Sequence, residues 1–105
     1  MIASKEETVA KGYWITFYQS IENPAALAEY AKLAGPAIQA GGGKFLARGV
    51  PAKTFEAGKT QRTVMIEFPS VQAAVATFEG EGYQAALRAL SGGAVRDIRI
   101  VEGVA

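Results

Sequence analysis

Arg48 and Glu67 are the two residues of this chain whose types and placement best suit chemistry on a small molecule. A guanidinium offers a planar fork of donors for an anionic or carbonyl oxygen, and a carboxylate in a largely apolar cleft has its pKa raised by desolvation toward the range useful for proton transfer. Both lie in apolar, β-prone runs, Lys44 to Val50 and Arg62 to Phe68. If those runs pair as neighbouring antiparallel strands, Arg48 and Glu67 are expected to share a face, within reach directly or through one water. Trp14, Tyr18, Met65 and Arg99 are expected on the same face as ligand contacts, and Tyr83, at the start of its short helix, as a further one. Leu46 and Asp97 complete a face too apolar for open water and too charged for a purely structural interface.

The alternatives are narrowed by what the chain lacks. Its 105 residues contain no cysteine and no histidine. Thiolate nucleophiles, Ser-His-Asp triads and histidine-bearing zinc or haem sites are therefore excluded. Acid and base work falls to Glu, Asp, Lys, Tyr or arginine-assisted water, and no metal and no cofactor are expected. A formal net charge of +1 gives no electrostatic pull toward nucleic acid or an anionic membrane. The polar opening Met1 to Thr8 lacks the apolar core of a leader, and no stretch approaches the roughly 20 apolar residues of a membrane span. A cytoplasmic location is expected, with residues 1–10 a polar tail and residues 11–105 one domain.

The elements that must position these side chains follow from periodicity. Tyr13 to Gln19, aromatic and β-branched, reads as a first strand. Asn23-Pro24 opens a helix with Leu27, Tyr30, Ala31, Ala34 and Ile38 at helical spacing, and Gly35-Pro36 predicts a kink or break before Ala40. Glycines 41–43 end it. The strands Lys44 to Val50 and Arg62 to Phe68 follow, joined by a long loop. Ala57-Gly58-Lys59-Thr60 in that loop lacks the preceding glycine and following helix of a phosphate-binding loop and is expected to be a plain connection. Ser70 caps a helix through Phe78, a short helix runs from Tyr83 to Leu90, and Val95 to Glu102 is the last strand.

The order β-α-β-β-α-β predicts a ferredoxin-like α+β fold: a four-stranded antiparallel sheet in the order 4-1-3-2 with the helices on one face. Alternation is read with Ile15, Phe17, Phe45, Ala47, Val64, Ile66, Phe68, Ile98 and Ile100 toward the helices. Trp14, Tyr18, Leu46 and Met65 would then form an apolar patch on the open face, and a homodimer that covers it is expected.

Lys11-Gly12-Tyr13-Trp14-Ile15, Asn23-Pro24, Gly35-Pro36, Gly42 to Gly49, Glu67-Phe68-Pro69-Ser70, Tyr83-Gln84-Ala85 and Ile100 to Gly103, in this order and spacing, resemble the domain of unknown function 1330 family. The resemblance spans residues 11 to 103. It implies a dimeric α/β-barrel, with two ferredoxin-like sheets face to face, and no established activity. Where relatives carry Asp before the helix proline this chain has Asn23, which caps equally well. Where they carry Arg seven residues after the tyrosine matching Tyr83, this chain has Leu90. Any ligand role of that arginine is lost here, or has moved to Arg88 or Arg96.

Three readings of function follow. The first is a cofactor-independent enzyme of the isomerase or lyase kind, moving a proton on a small organic molecule. The second is a non-catalytic ligand-binding or stress-associated protein using the same cleft. The third is a dimer whose polar cluster serves pairing alone.

Overall fold

The computed structural model describes residues 9–104. The expected polar tail, save residues 9 and 10, lies outside them. Strand β1 (Gly12–Ile21) leads to helix α1 (Pro24–Ala40), then β2 (Lys44–Gly49), β3 (Thr63–Phe68), α2 (Val71–Glu79), α3 (Glu81–Leu90) and β4 (Ala94–Glu102). The strands form one antiparallel sheet in the order β2-β3-β1-β4, as the sequence pattern predicts.

Local chemistry fixes the element ends. The Asn23 side chain accepts a hydrogen bond from the Ala26 amide at 3.1 Å, with Pro24 in the first turn, where a missing N–H costs nothing. Ser70 caps α2 in the same way, accepting from the Ala73 amide at 3.1 Å. The expected break at Gly35-Pro36 does not occur, and α1 runs continuously through both residues. The carbonyl that Pro36 leaves without a helical partner belongs to exposed Lys32, where water can serve it. Gly12 has no room for a side chain, since a Cβ there would lie 2.6 Å from the Ser70 carbonyl oxygen.

The helices cover one face of the sheet. Their buried partners are Trp14, Thr16 and Tyr18 from β1 and Val64, Ile66 and Phe68 from β3, with Ile98 and Ile100 of β4 packed alongside. The β3 and β4 facings agree with the alternation pattern. That of β1 is reversed: Trp14 and Tyr18 point to the helices, and Ile15 and Phe17 lie on the open face. Both faces of β1 carry large apolar side chains, so alternation alone cannot choose between them. Register decides it, because Trp14 stands opposite Ile66 and Thr16 opposite Val64, both inward residues of β3. The larger aromatic surface is the one buried, as its greater transfer free energy favours.

Candidate functional site

A bulge in the edge strand β2 decides where Arg48 sits. Phe45 pairs with Ile66, but the next paired residue is Ala47, opposite Met65, so Leu46 is the extra residue and the alternation shifts by one. Arg48 then falls opposite Val64, on the helix side, with its guanidinium 4.8 Å from the centre of the Phe45 ring. Glu67 stays on the open face and accepts a hydrogen bond from the Tyr13 hydroxyl at 3.1 Å. That bond is the main cause holding the Tyr13 phenol above its usual pKa. The expected shared face of Arg48 and Glu67 is therefore corrected, since the bulge sends them to opposite sides of the sheet.

The remaining candidates divide the same way. Trp14, Tyr18 and Tyr83 are buried on the helix side. Met65 and Arg99 lie on the open face, where Arg99 donates to the neighbouring Asp97 carboxylate at 2.8 and 3.1 Å and holds it below the usual carboxylate range.

On the helix side, the sheet and α1 enclose a cleft of about 80 Å³. Trp14, Tyr18, Phe45 and Val64 form its sheet wall, and Tyr30 and Gly35 belong to its helix wall. Arg48 and Arg62 also line it, and among the described residues no carboxylate does. The space is several times what one water requires.

Behind the cleft, Arg96 of β4 sets its guanidinium 4.7 Å from the Tyr30 ring centre and 5.7 Å from that of Tyr18, while Arg62 stands 5.9 Å from the Tyr18 ring on another side. These distances suit attraction of a cation to an aromatic face. Arg96 also donates to the Tyr30 hydroxyl at 2.9 Å and to the Tyr83 hydroxyl at 3.4 Å, and the two phenol oxygens are 2.6 Å apart. Burial, then the neighbouring Tyr30, pushes the Tyr83 phenol well above its ordinary pKa, against a smaller downward pull from Arg96. Burial works against the Arg96 charge, but the two phenol oxygens outweigh it and hold the guanidinium protonated. Among the described residues, none of Arg48, Arg62 and Arg96 has a carboxylate partner.

The sequence pattern singled out Tyr83, and named Arg96 beside Arg88 as a possible home for the relatives' arginine, but gave no role in the site to Tyr30 or Arg62. A signal was present in β4, where Arg96 falls in phase with the inward Ile98 and Ile100. A charge on the core side of a strand calls for a buried polar partner.

The family model for the domain of unknown function 1330 matches residues 11–104. The chain belongs to the domain of unknown function 1330 family. No curated protein matches its sequence. Among solved structures it is similar to RPA0582, a protein of unknown function from Rhodopseudomonas palustris, at 14% identity and a TM-score of 0.70, covering 99% of this chain and 92% of that one. It is similar to SnoaB, a cofactor-independent oxygenase from Streptomyces nogalater, at 12% identity and a TM-score of 0.62, covering 92% and 96%. A conserved protein from Methanosarcina mazei matches at 13% identity and a TM-score of 0.53, over 96% and 99%. These likenesses carry the fold. Within this member of the 1330 family, Leu90 is a buried core residue, Arg88 pairs with Glu81 on the exposed side of α3, and Arg96 is the arginine that reaches Tyr83. Among the described residues no helix is long and apolar enough to cross a membrane.

Proposed function

We propose that this protein binds a small planar organic molecule bearing an anionic or strongly polarised oxygen, in the cleft between α1 and the sheet of each subunit of a homodimer. The observation that carries this reading is the cleft itself: aromatic walls bordered by Arg48 and Arg62, with no carboxylate among the described residues to neutralise them. Apolar walls with a few convergent polar groups are the usual makeup of a small-molecule site, and guanidinium groups select oxygen anions. The fold shared with a cofactor-independent oxygenase supports a small organic ligand as the occupant, by analogy of architecture. Glu67, expected to serve as the base, faces away from this cleft, so proton transfer within it falls to the tyrosines, with the arginines as fixed positive charges.

Gly35 supplies the test. It lines the cleft, and a Cβ built on it meets nothing within 4 Å. Gly35→Leu should fill the cleft, the gain of about 1 kcal/mol from removing a helical glycine being offset by the crowding of a Cβ against the ring of Pro36. Wild-type protein is expected to bind benzoate or para-nitrophenolate in a thermal-shift and calorimetric screen. Gly35→Leu should abolish that binding with the far-ultraviolet circular dichroism of the folded protein retained, and Arg48→Ala should weaken it. Binding that survives Gly35→Leu would place the ligand elsewhere and end this reading.

A further inference from the structure

The loop joining β2 to β3 forms, with Phe17, Asp97 and Arg99 of the open sheet face, a cavity of about 500 Å³. Of its lining residues only Tyr18 and Arg62 also line the α1 cleft. Lys53, Lys59, Arg62 and Arg99 border the cavity, and Asp97 is the one carboxylate among the described residues that does. Arg99 already engages Asp97 at 2.8 and 3.1 Å. Lys53, Lys59 and Arg62 are left without a carboxylate partner among the described residues. The whole chain has a formal net charge of only +1, so the cavity is far more basic than the molecule around it.

The backbone of the loop accompanies this sorting of charge. The Gly58 amide donates to the Phe55 carbonyl at 2.9 Å, closing a tight turn in which Glu56 takes a left-handed φ of 53°. Lys53, Glu56, Lys59 and Arg62 succeed one another at even spacing, yet Glu56, inside the turn, is absent from the lining and the three cations are in it. Ala57-Gly58-Lys59-Thr60 lacks the frame of a phosphate-binding loop, but its Gly58 and Lys59 both border this cavity.

We infer that the cavity binds a small organic molecule carrying a phosphate group, with Lys53, Lys59 and Arg62 around the phosphate and Phe17 against the organic part. Like charges gathered in a concavity focus a positive potential, and a bound anion relieves their repulsion. A phosphate monoester brings close to two negative charges near neutral pH, where a carboxylate brings one, and lysine ammonium groups serve it as mobile point charges. The volume is that of a small-molecule pocket. This site stands independently of the α1 cleft.

Phenyl phosphate and phenol form the probe pair for calorimetry at low ionic strength. Wild-type protein should bind phenyl phosphate and not phenol, with an affinity that falls as salt is added. Lys53→Gln combined with Lys59→Gln, two exposed loop positions, should lower that affinity about tenfold, since two partly screened charge contacts are lost together. Lys53→Arg with Lys59→Arg should restore it. No binding by wild type, or equal affinity in the glutamine variant, would overturn the site. A single-stranded oligonucleotide binding more tightly than phenyl phosphate would overturn the small-ligand assignment in favour of a nucleic-acid backbone. On the unsubstituted protein, amide resonances of Lys53, Gly58 and Lys59 should shift during titration with phenyl phosphate. Shifts centred instead on Gly35 and Ile38 would put the phosphate in the α1 cleft and refute the inference.

Discussion

Tyr83 shows most directly how surroundings set a side chain's chemistry. Its phenol is held above the ordinary value of 10.0, first by burial and then by Tyr30. The folded state therefore keeps a proton that the unfolded chain gives up. Stability from this group is complete below pH 10.0 and falls as pH rises past it toward the higher folded-state value. Urea unfolding followed across the alkaline range should show this decline in wild type and a shallower one in Tyr83→Phe; parallel curves would deny Tyr83 its buried, proton-bound state. At this scale the sequence was partly legible. Tyr83 stood out as an aromatic at the start of a short helix, and Trp14 and Tyr18 as large aromatics on one strand. The pairing of Tyr30 with Arg96 did not stand out, because they are 66 positions apart and meet only where α1 packs over β4.

The β2 bulge shows why strand order can be read from pattern while facing cannot. Element order and crossover handedness leave few topologies, and the order β2-β3-β1-β4 was among them. Facing depends on single-residue register, and one extra residue inverts every side chain after it. Nothing in Lys44 to Gly49 marks Leu46 as the extra residue, so strict alternation sent Arg48 to the wrong side. On β1 the ambiguity was of another kind, since Ile15 and Phe17 were as plausible inside as Trp14 and Tyr18. The bulge leads to a prediction that regular alternation would reverse. Deleting Leu46 should close the gap between two residues already in register, leaving Phe45 opposite Ile66 and Arg48 opposite Val64. Cross-strand nuclear Overhauser contacts should persist between residues 48 and 64, and para-nitrophenolate binding should stay within a few-fold of wild type. Transfer of Arg48 to the Glu67 side would show that β2 is regular and the bulge assignment mistaken.

For the molecule as a whole, the open sheet face is the surface that remains to be covered. Several of its polar groups are engaged within the chain: Glu67 accepts from Tyr13, Asp97 pairs with Arg99, and the Arg99 guanidinium lies 5.2 Å from the Phe17 ring centre, while exposed Lys44 stands opposite Glu67 at the β2 edge. The centre of what is left for a partner is apolar, with Phe17 36%, Val95 46% and Val101 50% exposed beside half-buried Ile15 and Met65. A second copy of the same face suits this surface, because an isologous contact needs no foreign partner and its internally paired charges require no exchange. The proposed homodimer thus keeps Met65 of the patch the alternation pattern named but exchanges its aromatic residues. Trp14 and Tyr18 belong to the core, and the patch is carried by Phe17, Val95 and Val101. The two versions make opposite predictions. Phe17→Asp or Val101→Asp should yield a folded monomer in sedimentation equilibrium at micromolar concentration, with far-ultraviolet circular dichroism unchanged. Trp14→Asp should lose the fold altogether, because an unpaired carboxylate would replace the ring that Phe68, Phe78 and Tyr83 surround at 6.0, 5.4 and 4.9 Å. Wild-type protein sedimenting as a monomer at that concentration would sink the dimer, and the apolar sheet face would then be an open surface awaiting some other cover.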